Sequence, residues 1–149
     1  MVIIYLIRIV ISLILLFNVI IGKQNVVTVN DSLFVAKIER DDWGVPHIYG
    51  TRDADVSFGL AYAHAQDDFT TLEDIVFALR GELASKHGRS AAVNDYYVHL
   101  MNYWGMIEDR YESDVADDVK LLCGGYAAGI NKYLQDNPSL KKHSFDLVT

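Results

Sequence analysis

The sequence predicts a mainly helical α+β fold, with a short β-hairpin leading into about three helices. Two apolar runs of period two, residues 33–39 and 45–49, flank the turn-forming string DDWG. From Asp53 onward the apolar period lengthens to three and four residues and keeps that rhythm until Asn137-Pro138. A chain of 149 residues is one domain at most, and a hydrophobic content of 51% is enough to build a core.

Part of that hydrophobicity is concentrated at the start. Residues 2–21, VIIYLIRIVISLILLFNVII, are interrupted only by Arg8, Ser12 and Asn18, and about twenty apolar residues cross a bilayer as a helix. Residues 1–22 are therefore expected to be a signal peptide or an N-terminal membrane anchor, with residues 23–149 as the folded part. The signal peptide is favoured. Ile9 to Ile21 has the length of a signal h-region, and Gly22 supplies a small residue before a cut, although Ile20 is a mediocre partner for it. Arg8 and Lys23 flank the stretch evenly, so charge does not decide. Either way residues 24 onward are expected in a periplasmic or extracellular compartment, held at the membrane through residues 2–21 if these are not removed.

The hairpin comes next. Residues 33–39 alternate around Phe34, Ala36 and Ile38, and 45–49 form its second strand. Pro46 has no N–H to donate to a ladder, so that strand is expected at an edge or irregular there. Phe58, Tyr62, Ala65, Phe69, Leu72, Val76 and Leu79 then recur at steps of four and three, predicting a helix from about residue 54 to 79 with one buried stripe. Its first half, FGLAYAHA, is apolar almost all round, which implies burial on several sides, and Gly59 allows close approach of another backbone. Val93, Tyr97, Leu100, Trp104, Ile107 and Tyr111 predict a second helix. Val115, Val119, Leu122, Tyr126 and Tyr133 predict a third, with Ser113 as its N-cap and its aromatic stripe expected in the core. Three helices and one hairpin offer too few faces to cover all three stripes, so a large apolar patch is expected to stay exposed.

Composition narrows function. The net charge of −7 argues against a nucleic-acid partner, which wants a basic face. The single cysteine, Cys123, excludes an internal disulfide, and its run LLCGGYAAGI suggests a buried small hydrophobe. No GxSxG nucleophile elbow is present, and Ser57, Ser85 and Ser113 sit in helical or capping contexts. His64 and Asp68 share a helix face at i and i+4, but no third ligand follows at recognisable spacing, so a helix-face hydrogen bond is the better reading. His47, His87, His99 and His143 are scattered without a linking motif. On these grounds the chain carries no catalytic, cofactor-binding or metal-binding residue that can be named.

The string IERDDWGVPHIYG, followed by DADVSFGLAYAHAQDDFTTLEDIVFALRGELASKHG, resembles the opening of the α segment of the penicillin acylase family. These are N-terminal-nucleophile amidohydrolases that include acyl-homoserine lactone acylases and penicillin G acylase. The matching positions are Arg40, Asp41, Gly44, Pro46, His47, Ile48, Phe58, Gly59, Tyr62, Ala63, Ala65, Gln66, Asp67, Arg80, Gly81 and Gly88. A later block is similar at Gly125, Tyr126, Ala127, Gly129 and Asn131. The match runs in order from about Ile38 to Pro138. Asp68 stands where the family pattern commonly has Arg, so an ion pair of the pattern is expected to be rearranged.

The resemblance implies that this chain is the N-terminal part of the α segment of an αββα sandwich. Such enzymes cut themselves from a precursor, and the new N-terminal serine of the β segment is the nucleophile, with its own α-amino group as base. That segment is the implied partner, and it is absent from this sequence. Gly50-Thr51 has the form of a processing site, but cutting there would split the motif block. The implied substrate is a small linear amide, such as an N-acyl-homoserine lactone or a β-lactam side chain. Some relatives carry a structural calcium, whose ligands the resemblance does not place here, and no other cofactor is implied. RDDWGVPHIYG is accordingly expected to do turn and interface work, with Asp41 and Asp42 closing the turn through neighbouring backbone and His47 cross-linking segments. The alternative is a non-catalytic, membrane-tethered helical module left after truncation.

Overall fold

A computed structural model describes residues 26–143. The segment expected to be a signal peptide or anchor lies outside them, and among the described residues no helix is long and apolar enough to cross a membrane. Three antiparallel strands, β1 (Val26–Asn30), β2 (Val35–Arg40) and β3 (Pro46–Gly50), form a sheet in that order. Five α-helices follow: α1 (Asp53–Arg80), α2 (Leu83–His87), α3 (Ala92–Leu100), α4 (Tyr103–Asp114) and α5 (Asp117–Asp136).

The predicted hairpin is β2 and β3, with Ile38 opposite Ile48 and Arg40 opposite Pro46. Pro46 lies on an edge strand, as its missing N–H requires. Ahead of the hairpin, β1 is an addition to the expected elements. Its sequence VVTVN is rich in β-branched residues, but only Val29 is buried, so no alternation marked it. Asp31 closes the β1–β2 turn by accepting the backbone N–H groups of Leu33 and Phe34, each at 2.7 Å.

The layers stack as sheet, α1 and α5. Ala36, Ile38 and Val29 face Ala54, Phe58 and Ala63, with the Phe34 and Phe58 rings stacked at 5.9 Å. On its other side α1 meets α5, where Ala61 packs with Ile130 and Leu134. FGLAYAHA is thus covered on two sides, as its apolar circumference implies. A Cβ on Gly59 would stand 2.6 Å from Ala36 Cβ and 2.7 Å from Ile48 Cγ2, so the close approach there is by sheet side chains and not by backbone. The backbone approach occurs at Gly125 and Gly129 of α5, which lie against the carbonyls of Ala54 and Phe58.

The start of α1 is fixed by Asp55. Its carboxylate accepts from the Arg52 backbone N–H at 3.0 Å, the back-reaching half of a capping box, and from the Val35 N–H at 3.2 Å. It also pairs with the Arg52 guanidinium at 2.7 Å, and the side chain is 5% exposed. The Arg52 hydrogen bond foremost, against the opposing effect of burial, holds the Asp55 carboxyl down to about 2. A depressed carboxyl stabilises the fold above its ordinary range near 3.8, and this is lost as pH falls towards 2. Asp55→Asn should therefore cost about 2 kcal/mol at neutral pH. In urea titrations the gap from the parent chain should close between pH 4 and pH 2; a gap independent of pH would contradict this role.

Four expectations need correction. α1 is interrupted at Asp68, whose backbone is not helical (φ −154°, ψ 76°). The buried face rotates there: Glu73 and Phe77 are buried beyond the break, whereas Leu79, the last residue of the expected stripe, is 63% exposed. The second predicted helix is two, α3 and α4, separated at Asn102 in the left-handed region (φ 52°), which asparagine tolerates better than most residues. Ser113 caps nothing. It lies inside α4 with its hydroxyl 2.8 Å from the Asp114 carboxylate and 3.3 Å from the Arg110 carbonyl, while Ala116 precedes α5. Finally, Cys123 is exposed. It sits two residues from Gly125, about 200° around the helix and so on the face turned away from α1.

Candidate functional site

The motif residues converge at one corner of the sheet. Arg40, at the end of β2, reaches back over α1 with one guanidinium nitrogen 2.7 Å from Asp67 Oδ1 and 2.9 Å from Gln66 Oε1. Its other nitrogen donates to the Gly44 carbonyl at 2.8 Å. Positive charge at the end of the first half of α1 also suits the helix dipole. Asp41 organises the turn: its Oδ1 accepts the N–H groups of Trp43 and Val45, each at 2.9 Å, and Gly44 takes a left-handed conformation (φ 84°). The Val45 N–H, foremost, holds the Asp41 carboxyl below its usual range. His47 lies 3.4 Å from Asp41 Oδ2 on the exposed side of the turn.

The remaining motif residues build helices and their ends. Gly81 terminates α1 in the left-handed region (φ 69°), and the Glu82 N–H returns to the Phe77 carbonyl at 2.9 Å. Three side chains then satisfy the last carbonyls of α1: Asn94 donates to Ala78 O, Trp104 to Leu79 O, and His99 lies 3.1 Å from Gly81 O. Tyr126 hydroxyl meets His64 Nδ1 at 3.1 Å, joining α5 to α1. His64 and Asp68 are not brought together. Asp68 instead accepts the Thr71 N–H and hydroxyl, the latter at 2.6 Å.

This arrangement carries no activated nucleophile among the described residues. The hydroxyls of Ser57, Ser85 and Ser90 donate to the carbonyls of Leu122, Glu82 and His87, that of Ser113 lies 2.8 Å from the Asp114 carboxylate and 3.3 Å from the Arg110 carbonyl, and none of the four pairs with an imidazole or amine. Among the described residues no group of three His, Cys, Asp or Glu side chains could hold a metal ion. The corner can bind and orient its own strands, and nothing in it is arranged for proton transfer to a substrate.

The stripe of the third predicted helix packs inward, Tyr126 against Ala61, Ile130 and Leu134 and the Tyr133 ring 5.5 Å from that of Tyr62. The stripe of the second borders an open groove of about 820 Å3 between the second half of α1, α3 and α4, lined by Leu79, Val98, Trp104, Ile107, Tyr111 and Val115 among others. Tyr97, Trp104 and Ile107 of that stripe are 58%, 42% and 47% exposed. Too few faces are at hand to cover it, as the count of stripes implies.

Comparison with known proteins agrees with this geometry. The family described as Penicillin amidase matches residues 35–148. The acyl-homoserine lactone acylase PvdQ of Pseudomonas fluorescens (strain Pf0-1) is 30% identical over 109 residues, which are 68% of this chain and 14% of that protein. The penicillin acylase 2 proenzyme of Pseudomonas sp. (strain SE83) is 29% identical over 104 residues, 70% of this chain and 13% of that protein. The chain therefore spans about a seventh of the length of these relatives. Among solved structures, the thermostable penicillin G acylase from Alcaligenes faecalis superposes with a TM-score of 0.60 at 23% identity, covering 78% of this chain and 60% of that one. The likeness is one of fold.

Proposed function

The chain belongs to the penicillin amidase family, and from that membership we propose that it is the N-terminal part of an exported amidohydrolase whose catalytic serine lies in a downstream β segment. The enzyme so completed cleaves a linear amide, such as an N-acyl-homoserine lactone or the side chain of a β-lactam, through an acyl-enzyme. The observation that carries this reading is the pairing of a family match over residues 35–148 with the absence of an activated nucleophile among the described residues. The short span of the chain against its relatives supports it, and so does the uncovered apolar groove, which a further segment would bury. The role of the chain is then scaffolding: the Arg40–Asp67 corner and the α1–α5 pair hold a rigid surface for that segment. Export rests on residues 2–21 alone.

The test is an acyl-release assay. The purified chain should release no acid from penicillins or N-acyl-homoserine lactones above buffer background. Joined ahead of the remaining α segment and the β segment of a family member, it should support precursor cleavage and turnover. Hydrolysis by the isolated chain that Ser57→Ala or Ser113→Ala abolishes would refute the assignment of the nucleophile to another segment.

A further inference from the structure

We propose that Asp68 is a hinge, about which a distal helical unit, residues 69–114, moves against a fixed unit made of the sheet, the first half of α1 and α5. This goes beyond the proposed function and does not depend on it. The interactions of α1 change partner at Asp68. Before it, Arg40 binds Gln66 and Asp67, Gly59 lies under Ala36 and Ile48, Ser57 donates to Leu122 O and Tyr62 to Asp136, all ties to the sheet or α5. Beyond it, Glu73 and Asp74 bind Lys86, and the carbonyls of Ala78, Leu79 and Gly81 meet Asn94, Trp104 and His99. Those ties all run to α2, α3 and α4. The ties that cross between the units lie at the ends of the distal one: the Phe69 and Tyr133 rings are 6.0 Å apart beside Asp68, and Lys120 of α5 donates to the Glu112 carbonyl and carboxylate of α4, each at 2.9 Å, where α4 gives way to α5.

The joint has a defined chemistry. Asp68 is extended and its carboxylate accepts the N–H of Thr71 three residues on at 3.1 Å, so it acts as the N-cap of a new helix inside α1. An unbroken helix is stiff, whereas a capped break lets two dihedrals absorb a rotation without losing the helices on either side. A second joint is needed where the chain returns, and one exists: Val115 (φ −97°, ψ 125°) and Ala116 (φ −65°, ψ 148°) are extended between α4 and α5. Two joints define an axis, and the groove bordered by Trp104 and Ile107 travels with the distal unit.

Electron–electron distance measurements on the full chain test this. In a Cys123→Ala background, nitroxides at Thr28→Cys and Ala92→Cys span the joints, and those at Thr28→Cys and Gln135→Cys stay within the fixed unit; all three positions are exposed. Dilution with unlabelled chain removes contributions between molecules. The spanning pair should give a distribution at least about twofold broader than the control pair. Asp68→Leu, which removes the cap and favours a continuous helix, should shift the spanning distribution and leave the control unchanged. Equal widths for the two pairs would overturn the hinge whatever the variant does. A broad spanning distribution that Asp68→Leu leaves unaltered would overturn its assignment to Asp68.

Discussion

Gly129→Ala should lower the stability of the chain by about 2 kcal/mol, while the same substitution at Gly124 of the same helix should raise it by about 0.5 to 1 kcal/mol. The two changes add one methyl each and gain the same helix propensity. What differs is the space. A Cβ on Gly124 meets nothing within 4 Å, whereas one on Gly129 falls against the Phe58 carbonyl and stands 2.8 Å from Ala61 Cβ. A side chain can rotate away from such a clash, but a helix carbonyl cannot, so α5 must withdraw from α1 as a body. That withdrawal loosens Ile130 and Leu134 and lengthens the Ser57 hydroxyl bond to Leu122 O, now 2.9 Å. Gly125→Ala should behave like Gly129→Ala, since its Cβ meets the Ala54 carbonyl. Valine at either position should prevent α5 from docking at all. Thermal melts followed by circular dichroism give the comparison, and equal shifts of one sign at all three glycines would mean that the close approach does not set the stability of the pair.

How far such features could be read beforehand depends on their range. Asp41 was legible as a turn-closing acid because its bonds to Trp43 and Val45 are local. The phase of the first half of α1 was legible because Phe58, Tyr62 and Ala65 repeat on a helix period, and Phe58 and Ala65 are buried. The partnership of Arg40 with Asp67 was not, because it joins residues 27 apart whose meeting depends on how the sheet crosses α1. The break at Asp68 carried a local signal, an acid ahead of Phe69 and Leu72, but continuing periodicity across it favoured one unbroken helix. At Asn102 the left-handed preference of asparagine was available and was likewise masked by the stripe from Tyr97 to Ile107. The candidate site shows the same limit. Asp41 closes its turn as expected, but His47, expected to cross-link segments, meets Asp41 within the same turn among the described residues.

Lys86→Met should cost about 2 to 3 kcal/mol because it strands a buried carboxylate. Glu73 lies on α1 with its side chain 8% exposed, and its Oε2 is 2.5 Å from Lys86 Nζ, while Oε1 is buried without a hydrogen-bond partner among the described residues. Lys86 also reaches Asp74 at 2.5 Å and lies 5.8 Å from the centre of the Phe77 ring, so its ammonium group, with His87 3.0 Å from Asp74, fastens α2 to α1. Burial pulls the Lys86 ammonium down, but the hydrogen bonds of Asp74 and Glu73 outweigh it and hold the group above its ordinary range. A raised amine stabilises the fold below its unfolded value of 10.5, and that contribution is lost as pH rises through the folded value, so the effect of the mutation should shrink in strong alkali and not in mild acid. Asp74, about a third exposed, can turn to water when the amine is removed; Glu73 cannot. Glu73→Met combined with Lys86→Met should therefore recover most of the loss, because an apolar pair of similar volume leaves no charge to desolvate. Urea midpoints of the two single variants and the double give the coupling directly, and losses that simply add in the double variant would show that Glu73 does not depend on Lys86 for its place in the core.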